Sequence, residues 1–288
     1  IQQLDLMVVV DVIPSEIAGW ADVVLPETTY LERYEELNVE LFREPFVALR
    51  QPVVPAPHDQ KPNWWIAREL ALKLGLGAYY PWTDIEEYLD HRLKGAGASL
   101  AELKQRGLIK GPPAPLYFAD GITPEFATPS GKIEFYSTQL ETAGFDPVPR
   151  YRRHEAGPPG SFRLLFGRAP VHSFSRTQSN PILRDAMDEN ELWVNANVGA
   201  RLGLASGDYV RLRNQDGVLS NRIKARVTEA IRPECVYMVH GFGHTSRGLR
   251  SAYGLGASDA QLITRYATDP LMGGTGANVN FVTIEQGA

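Results

Sequence analysis

Cysteine is nearly absent: there is one, Cys235, in 288 residues. A single thiol excludes an internal disulfide and any all-cysteine metal or iron–sulfur site held by this chain alone. The sequence also lacks an apolar run of about 18 residues, the length a membrane-spanning helix needs. A large excess of charge of one sign is missing too, since 29 Lys and Arg against 34 Asp and Glu leave a formal net charge of −5. Such mild acidity gives no reason to expect nucleic acid or an anionic membrane as a partner. The stretch 167–180, GRAPVHSFSRTQSN, has a more local deficit, with no carboxylate and no cysteine. What it does hold is a dense set of donors: Arg168, His172, Ser173, Ser175, Arg176, Thr177, Gln178, Ser179 and Asn180. Few catalytic arrangements can be built from these alone.

The apolar runs LMVVVD (6–11) and ADVVLP (21–26) read as two strands, with only a short helix or turn in PSEIAGW between them. Uninterrupted runs of this kind suit a parallel sheet covered on both faces. Two strands do not complete such a sheet, so partner strands are expected upstream of Ile1, leaving Val8, Val10, Val23 and Val24 exposed here. Residues 1–50 therefore read as the tail of an α/β domain, and 51–160 as a connecting segment of helices. Helices are expected over 63–76, 83–93 and 99–109, capped by Asn63, Thr83 and Ser99, the first with Trp65, Leu70, Leu72 and Leu76 on its apolar face. TPSGKIEFYS (128–137) reads as a turn and a short strand, and ETTYLERYEELNVE (27–40) as a solvated helix edge rather than paired catalytic carboxylates.

The charged, Gly- and Pro-rich RRHEAGPPGS (152–161) reads as a domain boundary. Short strands follow, at 162–167, 191–196, 208–214, 221–229, 235–241 and 280–286. A hairpin turn is expected at NQDG (214–217), and a small helix capped by Asn195 in NANVGARLGL. Six strands in 161–288 argue for a β-barrel domain. No repeat or low-complexity tract interrupts it.

Several patterns weigh lightly. His240 and His244 have the spacing of a helical zinc pair, but Gly241 and Gly243 argue against a helix and no acidic third ligand is evident. A loop packed close to a ligand is the better reading. GLGASD (254–259) lacks the third glycine of a dinucleotide fingerprint, and GGTGAN (273–278) lacks the Lys of a P-loop. Cys235, within the strand CVYMV, reads as an inert buried thiol. The 167–180 stretch is different, because it follows a strand directly and shares its domain with two more Gly-rich polar loops. Neutral donors with fixed guanidinium groups suit a large ligand bearing phosphates and a heteroaromatic edge.

The segment MVVVDVIPSEIAGWADVVLPETTYLER (7–33) resembles the end of the third domain of molybdopterin oxidoreductases of the dimethyl sulfoxide reductase family. FGRAPVHSFSRTQSNPIL (166–183), LWVNANVGARLGLASGDYVRLRNQDG (192–217) and GGTGANVNFVTIE (273–285) resemble that family's C-terminal dinucleotide-binding domain. LPETTYLERYEE is most similar to the polysulfide and thiosulfate reductase catalytic subunits, whereas YEELNVE (34–40) departs from the wider family, so Asn38 is given no role. The resemblance implies an α/β segment ending a parallel-sheet domain, connecting helices and a double-psi β-barrel. It implies a molybdenum or tungsten bis(molybdopterin guanine dinucleotide) cofactor, whose metal ligand and [4Fe–4S] cluster belong to an N-terminal half. Implied cofactor contacts are Gly167, Arg168, His172, Ser173, Ser175, Arg176, Thr177 and Gln178, then His240, Gly243 and His244, and finally Gly276, Asn278 and Asn280. The implied chemistry is two-electron cleavage of a sulfur–sulfur bond. The N-terminal remainder of the catalytic subunit, an iron–sulfur subunit and a membrane anchor are the implied partners, on the periplasmic face of a membrane. The alternatives are an arsenate, nitrate or formate enzyme of the same family, or a standalone barrel serving as a binding module.

Overall fold

A computed structural model describes residues 1–115, 117–151 and 153–286. Arg152, which opens the expected 152–161 boundary, lies outside the described residues. By packing, Val8–Val12 and Asp22–Arg153 form one compact unit, and Ile1–Met7, Ile13–Ala21 and His154–Ala288 the other.

In the first of these units, β1 (Val8–Asp11) and β2 (Val23–Pro26) pair in parallel, in register Val8↔Val23 to Asp11↔Pro26. Val8, Val10, Val23 and Val24 are exposed, as the short two-stranded sheet predicts, and only Val9 is buried. The 27–40 segment is not a helix. It turns and then enters β3 (Asn38–Glu40), which pairs antiparallel with β4 (Phe46–Ala48). Two of the carboxylates that suggested a solvated face are gathered instead by Arg33, which bonds Glu27, Glu35 and the Thr28 carbonyl.

Helix α1 spans Asn63–Lys73, behind Pro62 rather than Asn63 at the cap, and Gly75 at φ +74° follows its end. Its buried residues are Ile66 and Ala71. Trp65, Leu70, Leu72 and Leu76 are exposed, with Trp65 and Leu70 lining an open cleft of about 810 Å³. Helix α2 (Ile85–Leu93) is capped by Asp84, whose carboxylate accepts the Glu87 N–H, while Glu87 reaches back to the Thr83 N–H. A carboxylate one residue nearer the helix takes the place expected of Thr83. Ser99 does cap α3 (Leu100–Arg106), which stops at Gly107, φ +72°. Residues 108–110 leave the helix there and become β5 (Leu108–Lys110), antiparallel to β4. A core of Leu37, Leu49, Leu89, Leu93, Leu100 and Leu103 holds these pieces together. Residues 128–131 turn as expected, but no strand follows, and the chain goes on to α4 (Thr138–Thr142).

In the second unit all six expected strands form and close into a barrel. They are β6 (Phe162–Gly167), β7 (Glu191–Asn195), β8 (Tyr209–Asn214), β9 (Ile223–Thr228) and β10 (Cys235–Val239), with the sixth at Phe281–Glu285. Helices α5 (Pro181–Ala186) and α6 (Ala196–Leu202) flank β7, α7 (Asp259–Leu262) follows β10, and the pair β11 (Ala267–Thr268) and β12 (Thr275–Gly276) precedes the last strand, β13. Around the barrel the order is β10-β6-β13-β8-β9-β7, parallel at β10–β6 and β7–β9. Period-two alternation sends Leu164, Leu192, Val194, Val210, Leu212, Ile223, Val236 and Met238 inward, all fully buried. Asn195 caps α6 as expected, and Asn214 to Gly217 make the expected turn.

The barrel's connections are fastened by asparagines. Asn280, with no exposed surface, accepts from Gln215 Nε2 and the Thr264 and Arg265 N–H groups, and donates to the Arg265 and Ala277 carbonyls. Asn214 joins its own turn to Leu262 and Thr264. Cys235 is buried at the start of β10, where burial pushes the thiol up from its ordinary value. Replacing Asn280 by Ala strands several buried partners and should cost about 2–4 kcal/mol of stability. Cys235→Ala, which removes no side-chain hydrogen bond among the described residues, should cost about 1 kcal/mol. Urea denaturation of both variants checks the order, and equal losses would show that Asn280 is not a fastening point.

Candidate functional site

Because β10 and β6 run parallel with Val239 opposite Gly167, the segments leaving these two strands emerge side by side at one end of the barrel. The His240 N–H continues the ladder to the Gly167 carbonyl at 3.0 Å. Beneath both segments lies a small apolar cluster of Ala169, Val239 and Phe242. Gly167 itself faces Tyr237, whose hydroxyl would lie 2.9 Å from a Cβ added there.

The 168–180 loop sorts its polar residues into two groups. His172 is buried, with Nε2 2.8 Å from the Met187 carbonyl and Nδ1 3.1 Å from Thr177 Oγ1. The carbonyl can only accept, so Nε2 carries a proton, and in the neutral ring Nδ1 then accepts from the Thr177 hydroxyl. That hydroxyl in turn accepts the Ser173 N–H at 2.9 Å. Gln178, 2% exposed, accepts the Thr177 N–H and donates to the Phe174 carbonyl. The polar atoms of His172, Thr177 and Gln178 are thus engaged inside the loop. Arg168, Ser173, Ser175 and Arg176 are exposed. Arg168 lies 4.5 Å from the Phe174 ring centroid, and Arg176 approaches the Ser173 hydroxyl at 3.5 Å. Asn180 ends the loop by capping α5, ahead of Pro181.

The second loop packs directly on the first. Gly241, at φ +87°, admits the Phe174 carbonyl to 2.2 Å of where a Cβ would stand, and Gly243, at φ +75°, admits the Ser258 N–H to 2.4 Å. Any side chain at either position would displace backbone. The His240 ring lies 4.8 Å from that of Phe174, and its Nε2 is buried without a partner among the described residues. His240 and His244 line a pocket of about 410 Å³ with Phe174, Ser175, Glu16 and Asp259.

Three residues that shape this end carry no local signal in the sequence. Glu16, in the turn between β1 and β2, accepts from His244 Nδ1 at 2.9 Å and from the Thr245 and Ser246 N–H groups. Burial opposes its ionisation, but these donors outweigh burial and hold the carboxyl below its ordinary value. Asp259 is buried, and desolvation pushes it up despite the Gly241 and Ala260 N–H groups and the nearby His240. Asn190, with no exposed surface, donates to the Val239 and Ala257 carbonyls and accepts the Ala257 N–H. The partners of Glu16 and Asn190 are tens to hundreds of residues away, and Asp259 reaches back to Gly241, all beyond any local pattern.

The first two sets of expected contacts therefore meet, while the third is held elsewhere. Gly276 lies in β12 against β11, Asn280 is fastened to Gln215 and residues 264–265, and the Asn278 carbonyl takes the Arg163 guanidinium.

Residues 162–281 match the family described as the Molydopterin dinucleotide binding domain, and residues 1–73 match Molybdopterin oxidoreductase. The chain belongs to the molybdopterin oxidoreductases. It is 35% identical over 297 aligned residues to the thiosulfate reductase molybdopterin-containing subunit of Salmonella typhimurium, an alignment that covers 95% of this chain and 39% of that protein. The acetylene hydratase of Syntrophotalea acetylenica is 30% identical over 230 residues, covering 76% of this chain and 31% of that one. The solved acetylene hydratase from Pelobacter acetylenicus superposes with a TM-score of 0.73 at 25% identity, over 98% of this chain and 40% of its own. The chain thus spans about two fifths of the length of its thiosulfate reductase relative.

The cofactor class named by both matches is a molybdopterin, with a dinucleotide at the barrel. Two features of this chain fit that group. His240 Nε2, with no partner among the described residues, needs a polar one; Ser175 lines the same pocket, and the exposed Arg168, Ser173 and Arg176 give its loop further N–H and O–H donors, one of which Arg176 turns to the Ser173 hydroxyl. Glu16 fixes the far side of the same pocket, and its lowered carboxyl sets a pH dependence. The contribution is complete above the ordinary value near 4.5 and is lost as pH falls through the lower folded value. Hydrogen-exchange protection of the Thr245 and Ser246 amides, corrected for intrinsic rates, should therefore hold near the ordinary carboxylate value of 4.5 and be lost only at pH below it in the native protein. In Glu16→Gln it should be low and nearly flat across the same range. Parallel profiles would show that Glu16 does not hold this loop.

Proposed function

We propose that this chain forms the dinucleotide-binding end of a molybdopterin enzyme that reduces polysulfide or thiosulfate. The observation that carries the cofactor half of this reading is the division within the 168–180 loop. His172, Thr177 and Gln178 fix the loop's shape, and that shape leaves two guanidinium groups and two hydroxyls turned outward. Guanidinium groups suit phosphate and the polar edge of a pterin or guanine, because their N–H pairs match planar and tetrahedral acceptors. Of the expected contacts, Arg168, Ser173, Ser175, Arg176 and His240 are the ones this reading retains for direct contact. Gly167 and Gly243 permit close backbone packing, His172, Thr177, Gln178 and Asn280 act as supports, and His244 is oriented by Glu16. Gly276 and Asn278 stay as a separate edge whose contact with a bis(molybdopterin guanine dinucleotide) awaits the same test.

The substrate half rests on the similarity to a thiosulfate reductase subunit. When bound, the cofactor supplies reversible two-electron chemistry at molybdenum or tungsten. For thiosulfate, two electrons and one proton yield hydrosulfide and sulfite, with the sulfur–sulfur bond broken. In this proposal the electrons enter through iron–sulfur clusters outside this chain, from an electron-transfer subunit anchored at a membrane. The chain's own residues bind and orient, and Arg168, stacked on Phe174, is held ready to do so.

Arg168→Ala and Arg176→Ala should each weaken cofactor retention about ten- to a hundredfold, the equivalent of about 1.5–3 kcal/mol for a charge-assisted hydrogen bond. Lys should rescue poorly, because it lacks the paired donors. The measurements are molybdenum and nucleotide content per protein after gel filtration, together with hydrosulfide release from thiosulfate under a reduced dye. Full cofactor content in both alanine variants would make the stretch an ordinary polar loop. Full content and redox activity without hydrosulfide release would keep the cofactor reading and remove the substrate.

A further inference from the structure

A second cleft, of about 460 Å³, opens beside the Glu16–His244 contact and shares His244 and Thr245 with the first pocket. Its other wall is the outer face of β8 and the segment entering β9, where Tyr209, Arg211, Asn221 and Arg222 stand. The basic residues of this face are mostly matched to acids. Lys224 pairs with Glu189 at 2.5 Å, Arg213 with Glu285, and Arg226 with Glu191 at 3.6 Å. Glu189, the acid that lines the cleft, also accepts the Tyr209 hydroxyl at 2.8 Å, so its charge is offset by Lys224 and its Oε1 takes both donors.

Arg211 and Arg222 are the exceptions. Neither makes an ion pair or side-chain hydrogen bond with another of the described residues, and Glu285, whose carboxylate feels Arg211, is committed to Arg213. Arg222 is exposed, with its guanidinium 5.0 Å from the Tyr209 ring centroid. Arg211 is half-buried, and its Nε is fully buried with no acceptor. A buried donor on a charged group without an acceptor is costly, and it marks a place where an acceptor belongs. Two unmatched guanidinium groups on one cleft wall, one with an unanswered Nε–H, match an ion with several equivalent oxygens.

We propose that this cleft binds a tetrahedral oxyanion through Arg211 and Arg222. A free sulfur oxyanion and the phosphate of a larger ligand share this chemistry. The inference does not depend on the cofactor reading, because anion binding is measured as heat.

The test is calorimetric titration of the protein as purified with thiosulfate and, separately, with pyrophosphate, at fixed ionic strength. At least one should bind saturably. Arg222→Gln, an exposed substitution that leaves the fold intact, and Arg211→Gln should each weaken that binding about tenfold or more. Arg211→Lys, which keeps the charge but lacks the Nε–H, should fall between. Arg226→Gln, at a guanidinium stacked 4.8 Å from the Trp193 ring and paired with Glu191, should bind like the native protein. Saturation by thiosulfate alone assigns the sulfur oxyanion, saturation by pyrophosphate alone assigns the phosphate, and mutual competition assigns one site to both. The proposal is overturned if neither anion saturates, or if the Arg211 and Arg222 variants bind as tightly as the native protein.

Discussion

A closed barrel answers its own backbone, but the segments that leave it must find partners for every buried N–H and carbonyl. Here that demand falls on a few asparagine side chains. An amide offers two donors and an acceptor oxygen within one short, stiff group, which suits it to bridge two backbone segments at once. Asn190 joins the end of β10 to the start of α7, Asn214 and Asn280 join the β8 turn to residues 262–265, and Asn195 ties α6 to Ile231. Without these bridges the loops at the barrel ends would have no fixed height or angle, and the site built on them would have no fixed geometry.

The same economy of partners explains the character of the site. In the 168–180 loop a chain of hydrogen bonds runs from the Ser173 amide through Thr177 and His172 to Met187. It closes the loop on itself and so determines which side chains remain outside. Polarity alone does not reveal that division. His172 and Arg176 look equally suited to a ligand in the sequence, yet one is sealed beneath the surface and the other stands above it.

How much was legible follows from the range of the forces involved. The six barrel strands were, because alternation is a local property that the closed barrel leaves intact. The turn at 214–217 and the caps at Ser99 and Asn195 were legible for the same reason. Thr83 and the 27–40 segment misled, since neighbouring residues offered equally good caps or charges, and Asn63 misled because α1 starts one residue sooner, behind Pro62, which makes no side-chain cap bond. The exposed side of α1 shows the limit most clearly: Trp65, Leu70 and Leu72 read as a core-facing stripe, whereas the described core reaches only Ile66 and Ala71. Within the site, the loop following β6 was visible as an unusual composition. Glu16, Asn190 and Asp259 were not, because each acts on residues far away in the chain.

Phe174 has a consequence for how tightly such a loop can hold a ligand. Its backbone lies at φ +50°, a conformation most residues avoid, and it stays there because Gly241 makes room for its carbonyl and Gln178 binds that oxygen. The conformational cost is thereby met in folding and not at the moment of binding, so the loop behaves as a template instead of a clasp. A template of this kind favours slow exchange: a ligand leaves by breaking its own contacts, with no relaxation of the loop to help it go.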